Sequence, residues 1–100
     1  MTTKAVFIVR AEVPEADRAA FDRWYETEHL DEAKEAFGAI RAWRGWSKVD
    51  PAVHMAFYEF DSLAKAEAVP GSEALKILVG KFDAEWQGRV TRARELIEIV

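Results

Sequence analysis

The sequence predicts an α+β fold of ferredoxin-like layout, a four-stranded antiparallel sheet built in the order β-α-β-β-α-β, and three observations predict it. Four stretches alternate or run apolar like strands, near residues 4–13, 40–49, 53–60 and 90–100. Two regions of helical spacing lie between the first and second of these and between the third and fourth. The middle pair is separated by little more than Asp50-Pro51, a turn in which proline fits and cannot serve a ladder. The right-handed crossover rule, applied to two such split units, gives the strand order 4-1-3-2 with both helices on one face. A chain of 100 residues, half of them hydrophobic, supports one core and is short for two, so residues 1–100 are expected to form a single domain.

In the first strand, Lys4 to Val13, Ala5, Phe7, Val9 and Ala11 share one face, and Val6, Ile8, Arg10 and Glu12 the other. Both faces begin apolar, which marks a central strand covered on two sides. Pro14 suits a first helical turn, and Glu15 and Asp17 put negative charge near the helix N-terminus. Phe21, Trp24, Tyr25 and Glu28 follow at i, i+3, i+4 and i+7, a stripe expected to face the sheet and to bring Glu28 to its edge. This helix is expected to end near His29, with a second short piece from Asp31 to Phe37 stopped by Gly38.

The hairpin strands are read as Ile40–Val49 and Val53–Phe60. Asp61 or Ser62 can cap the next helix, which Pro70-Gly71 interrupts; Ser72 can cap its continuation, where Leu75, Leu78, Val79, Phe82 and Trp86 keep helical spacing. The last strand, Val90 to Val100, has an arginine-rich first half with Arg89, Arg92 and Arg94 around it.

Composition removes several classes of function. With 14 basic and 18 acidic residues interspersed, the net charge of -4 offers no basic stripe for a nucleic acid. The absence of cysteine excludes a disulfide framework, a thiolate metal site and a thiol nucleophile. No apolar run reaches the roughly 18 residues of a membrane span. Met1-Thr2-Thr3-Lys4 leads into a strand rather than a signal-peptide core, so the cytoplasm is the expected location. Four tryptophans and six phenylalanines exceed what a small core between sheet and helices requires, and an apolar second sheet face is an association site. A homodimer packed sheet to sheet is therefore expected.

The most informative segment is FDRWYETEHLDEAKEAFGAIRAWR, Phe21 to Arg44, with Trp24-Tyr25, Glu28-His29 and Gly38 at fixed offsets before an arginine-rich strand. It resembles the dimeric α/β-barrel superfamily, and in particular the EthD-like group, whose first helix commonly carries a W-Y-x-x-E-H pattern. The layout matches over the whole chain and the motif over about two dozen residues. The resemblance implies a homodimer whose two sheets form a barrel, each subunit keeping a small pocket between sheet and helices. Similar proteins include cofactor-free monooxygenases, polyketide cyclases, muconolactone isomerases and haem-degrading enzymes. The last resemble one another in an Asn-Trp-His pocket, and this sequence has no asparagine. His29 is followed by Leu30-Asp31-Glu32, where the group usually has a proline within two residues.

His29 is the candidate catalytic residue, because imidazole exchanges protons near neutral pH and the motif places it where a helix ends beside the sheet. The competing structural reading is a helix C-cap, a positive imidazole against the dipole. On a regular helix Glu28 points about 100° from His29, so the two do not face one small ligand. Trp24 and Tyr25 read first as core residues, with the Tyr25 hydroxyl available to a pocket.

Arg41 and Trp43 share a face of the second strand. They are candidate ligand residues, arginine for a carboxylate or enolate and tryptophan for an aromatic ring; the alternative is a surface arginine over a dimer-facing ring. His54 and Tyr58 share a face of the third strand and need partners if buried, either with His29 in a proton-transfer set or with each other across the dimer. Neither a metal-ligand set nor a nucleotide loop is legible, so the expected chemistry is cofactor-free, on a small organic ligand. The other hypothesis is a non-catalytic accessory dimer that binds a partner protein or a metabolite.

Overall fold

In the computed structural model, which describes residues 4–100, four strands form one sheet in the order β2-β3-β1-β4. The reading of Met1, Thr2 and Thr3 lies outside the described residues. The strands are β1 (Ala5–Glu12), β2 (Arg41–Trp46), β3 (Val53–Phe60) and β4 (Thr91–Glu98), and every neighbouring pair is antiparallel. This is the expected topology, with β1 central and β2 and β4 at the edges.

One sheet face carries the core. Phe7 and Ala11 of β1, and Ala56, Tyr58 and Phe60 of β3, lie fully buried against Phe21, Tyr25, Leu78, Phe82 and Trp86 from the helices. The opposite face takes no part in that cluster. Val6 and Ile8 sit there, paired in register with Glu59 and Phe57 of β3, which in turn pair with Arg41 and Trp43 of β2. Trp43 stacks on Phe57 with ring centroids 5.4 Å apart and 9° between planes. Trp43 and Ile97 keep 36% and 47% of their surface exposed, so an apolar ledge is left open on this side.

Between β1 and β2 the expectation of two separate helices is corrected. A 3-10 turn (Glu15–Asp17), α1 (Arg18–Trp24), a π-turn (Tyr25–His29) and α2 (Leu30–Phe37) run on as one rod. His29 is therefore not a C-cap; it lies in mid-helix, and its backbone stays in the right-handed α region. The buried stripe differs too. It is Phe21, Tyr25, His29 and Ala33, while Glu28 is exposed. Residues four apart drift by about 40° per step on a regular helix of 3.6 residues per turn, and the wider i→i+5 turn takes up that drift. Within the turn, Thr27 Oγ donates to the Arg23 carbonyl at 2.9 Å. The rod ends where expected, at Gly38, with φ of 72° in the left-handed region.

The hairpin strand β2 is shorter than its alternation suggested, because residues 47–52 form a side-chain-tied loop. Ser47 Oγ accepts from the Val49 and Asp50 amides at 3.1 Å each, and Asp50 Oδ1 accepts from the Ala52 amide at 3.1 Å. Ser62 caps α3 (Leu63–Glu67), accepting from the Lys65 amide at 3.2 Å, and Ser72 caps α4 (Glu73–Trp86), accepting from the Leu75 amide at 3.1 Å. Among the described residues no helix is long and apolar enough to cross a membrane.

Candidate functional site

A narrow cleft, with a cavity volume of only about 20 Å³, opens between the helix-facing side of β1 and β4 and the helices α2 and α4. His29, Tyr25 and Tyr58 form its polar inner end, Leu78 and Phe82 its apolar wall, and Arg92 and Arg94 its flank on β4. The π-turn delivers His29 here: without it, the side chain one turn beyond Tyr25 would swing off the buried stripe.

His29 retains 6% of its surface. Its ring stacks on Trp24, with centroids 4.2 Å apart and 15° between planes, and meets the Tyr25 ring edge-on at 4.9 Å. Nδ1 is enclosed without a hydrogen bond, and Glu32 Oε1, 4.0 Å away, is the carboxylate beside it. Burial drives the imidazole pKa from 6.5 down to about 4, against the pull of Glu32 and with the help of Arg92 and Lys81. The ring is thus neutral at pH 7, and Glu32 favours the tautomer that carries its proton on Nδ1. That leaves Nε2 as the basic nitrogen.

Tyr25 and Tyr58 are both 1% exposed. Burial raises the pKa of each phenol well above 10, and each also feels the other's hydroxyl. They are neutral donors at any pH the protein meets.

His54 sits behind Tyr25, ring centroids 4.5 Å apart, and does not line the cleft. It is wholly buried, with Nε2 3.3 Å from Arg44 Nη1. A guanidinium has only donors, so Nε2 accepts and the proton resides on Nδ1, which has no partner. Burial, then the Arg44 charge, lower its pKa to about 4. Arg44 is itself clamped: Nη1 donates to Asp22 Oδ1 and Nη2 to Glu26 Oε2, each at 2.8 Å. Trp46 Nε1 donates to the same Asp22 oxygen at 2.8 Å. The Trp46 and Arg44 hydrogen bonds hold the Asp22 carboxyl below its usual range.

Of the residues singled out from the sequence, Tyr25, His29, His54 and Tyr58 come together on the helix side of the sheet. Arg41 and Trp43 do not, and the reading of them as pocket residues is corrected. They point to the open face, where Arg41 Nη2 pairs with Glu59 Oε1 at 3.2 Å and its guanidinium lies 4.6 Å above the Trp43 ring. The cause is strand parity: Arg44 and Trp46, one phase on, share the helix-facing side with Ala56 and His54. Sequence reasoning also passed over Arg92 and Arg94 as site residues. Their spacing of two on a final strand next to β1 was the available signal.

No protein-family model and no curated protein matches the sequence. Solved structures do share its ferredoxin-like fold. One is an EthD (ethyl tert-butyl ether D) family protein from Bacillus halodurans, similar at a TM-score of 0.67 and 16% identity over 92% of this chain and 96% of that one. A NIPSNAP family protein of unknown function from Agrobacterium tumefaciens has a TM-score of 0.65 and 13% identity over 96% and 88%. A point mutant of SnoaB, a cofactor-independent oxygenase from Streptomyces nogalater, has 0.62 and 13% over 94% and 90%.

Proposed function

We propose that the protein binds a small organic molecule in the cleft and acts on it as a cofactor-free enzyme, with His29 transferring a proton on an aromatic or polyketide-like substrate. The observation that carries this is the neutral, nine-tenths buried imidazole lining a cleft beside two neutral phenols. Nε2 takes the proton; Tyr58 and Tyr25 are donors for an oxygen on which charge develops. His54, held by Arg44 behind Tyr25, positions that ring. The likeness to a cofactor-independent oxygenase supports the reading at the level of fold.

1-Tetralone, an aryl ketone with slowly exchanging α-protons, is a suitable probe. The protein is expected to accelerate deuterium uptake at that carbon, and His29→Gln to lose about 10²–10⁴-fold of the acceleration while keeping its thermal midpoint. Equal acceleration by the variant removes His29 from the mechanism. The second reading is a non-catalytic accessory dimer that binds a partner or a metabolite, favoured by the narrowness of the cleft and by the Trp24 ring lying flat on the imidazole. No acceleration by the wild-type protein moves the assignment there.

The functional unit is a homodimer joined through the open sheet face. Ile8, Met55, Phe57 and Trp43 give that face its apolar centre, with the Arg41–Glu59 pair at its margin. Trp43→Glu combined with Phe57→Glu is expected to turn a dimer into a folded monomer in sedimentation velocity. A wild-type protein that sediments as a monomer at tens of micromolar overturns the assignment.

A further inference from the structure

Arg92 and Arg94 are alternate residues on the helix-facing side of edge strand β4, opposite Ala11 and Val9 of β1. Same-face neighbours on a strand are about 7 Å apart, so the two arginines leave the strand side by side, and both line the cleft. Their surroundings do not neutralise them equally. Arg92 Nη2 donates to Asp83 Oδ1 at 3.0 Å, and its guanidinium lies 4.3 Å over the Phe82 ring. Arg94 makes no ion pair or side-chain hydrogen bond among the described residues, and no carboxylate lines the cleft. The other polar groups there are two phenols and the imidazole of His29, whose enclosed Nδ1 lacks a partner. The cleft is therefore lined by aliphatic and aromatic side chains and positively charged along one side.

Resting on the pocket reading above, we propose that its ligand is a flat aromatic carboxylate: the planar fork of Arg94 takes the carboxylate, Arg92 adds charge, and the ring lies along Leu78 and Phe82 toward His29. A carboxylate accepts two parallel N–H bonds from one guanidinium, which an alcohol or ketone does not. Aromatic walls and a cation at the rim select for shape and charge together.

The test compares 2-naphthoate with 2-naphthalenemethanol, the same ring system without the charge, by calorimetry and by shifts of the His29 and Tyr25 resonances. Naphthoate is expected to bind about tenfold or more tighter than the alcohol. Arg94→Gln is expected to remove about that factor for naphthoate and to leave the alcohol unchanged. Arg94 is exposed and unpaired, so the variant keeps the wild-type thermal midpoint. Equal affinities, or an unchanged naphthoate affinity in Arg94→Gln, overturn the carboxylate assignment and leave the pocket standing. If neither compound shifts the His29 and Tyr25 signals, the pocket reading falls and this inference with it.

Discussion

Lowering the pH from 6.5 to 4 is expected to cost the fold on the order of 6 kcal/mol, through two histidines alone. His29 and His54 have their pKa values lowered from 6.5 to about 4 by burial. In the unfolded chain both rings take up protons as the pH passes 6.5, whereas in the folded chain they wait until about 4. Across that window the unfolded state binds more protons, so stability falls as the pH falls. The loss is on the order of 3 kcal/mol for each ring, and it stops growing below the folded pKa. A domain of this size holds about 5–15 kcal/mol in total, so the two together remove a large share of it. Asp22, whose carboxyl is held below 3.8, contributes only beneath this window. Urea unfolding at pH 7, 5.5 and 4.5 measures the slope, and the imidazole proton resonances of the folded protein report each ring. A folded-state titration near 6.5 for either ring contradicts the burial described.

Phe21→Ala is expected to cost about 3–5 kcal/mol, the range for deleting a buried aromatic ring. Phe21 is 0% exposed and is the hub of the aromatic core. Its ring centroid lies 5.1 Å from Tyr25, 5.2 Å from both His54 and Trp86, 6.0 Å from Phe82, 6.1 Å from Trp46 and 6.3 Å from Trp24. All six of these contacts are tilted or edge-on, the geometry that adds to simple burial. Tyr25 and His54 flank the void directly, so the loss reaches the cleft as well as the core. Denaturant unfolding against wild type measures it, and a loss below about 1 kcal/mol would mean that the large rings around it close the cavity.

The architecture was legible because several independent signals agreed: alternation in β1 and β3, serine caps at Ser62 and Ser72, and Gly38 as a left-handed stop. The site was legible in part. His29, Tyr25, His54 and Tyr58 all lie buried between the sheet and the helix layer. Strand β2 was misphased for a physical reason: RAWRGW offers an arginine and a tryptophan in each parity, so alternation alone does not say which pair faces inward. The register across the hairpin decides it, with Trp46 opposite His54 and Ala42 opposite Tyr58. Had His54 and Tyr58 fixed the inner face first, Arg44 and Trp46 would have followed. The helix was misread because a π-turn has no sequence signature of its own; it arises where the packing of two helical halves disagrees by a fraction of a turn.

That disagreement has a consequence for the chain as a heritable object. The half of the rod before Tyr25 is phased by Phe21 against the aromatic core, and the half after His29 by Ala33 and Phe37 against the sheet. The two phases are reconciled by a single surplus residue. A one-codon deletion anywhere from Tyr25 to His29 would let the rod become regular throughout. The two halves would keep nearly their present phase, because four residues of α-helix turn about as far as five of the wider helix, but the side chains within the bend would each move to a new position around the rod. The surplus residue is thus spent within a single turn: the register of the helix there, more than the identity of any neighbour, is what keeps an imidazole in the cleft.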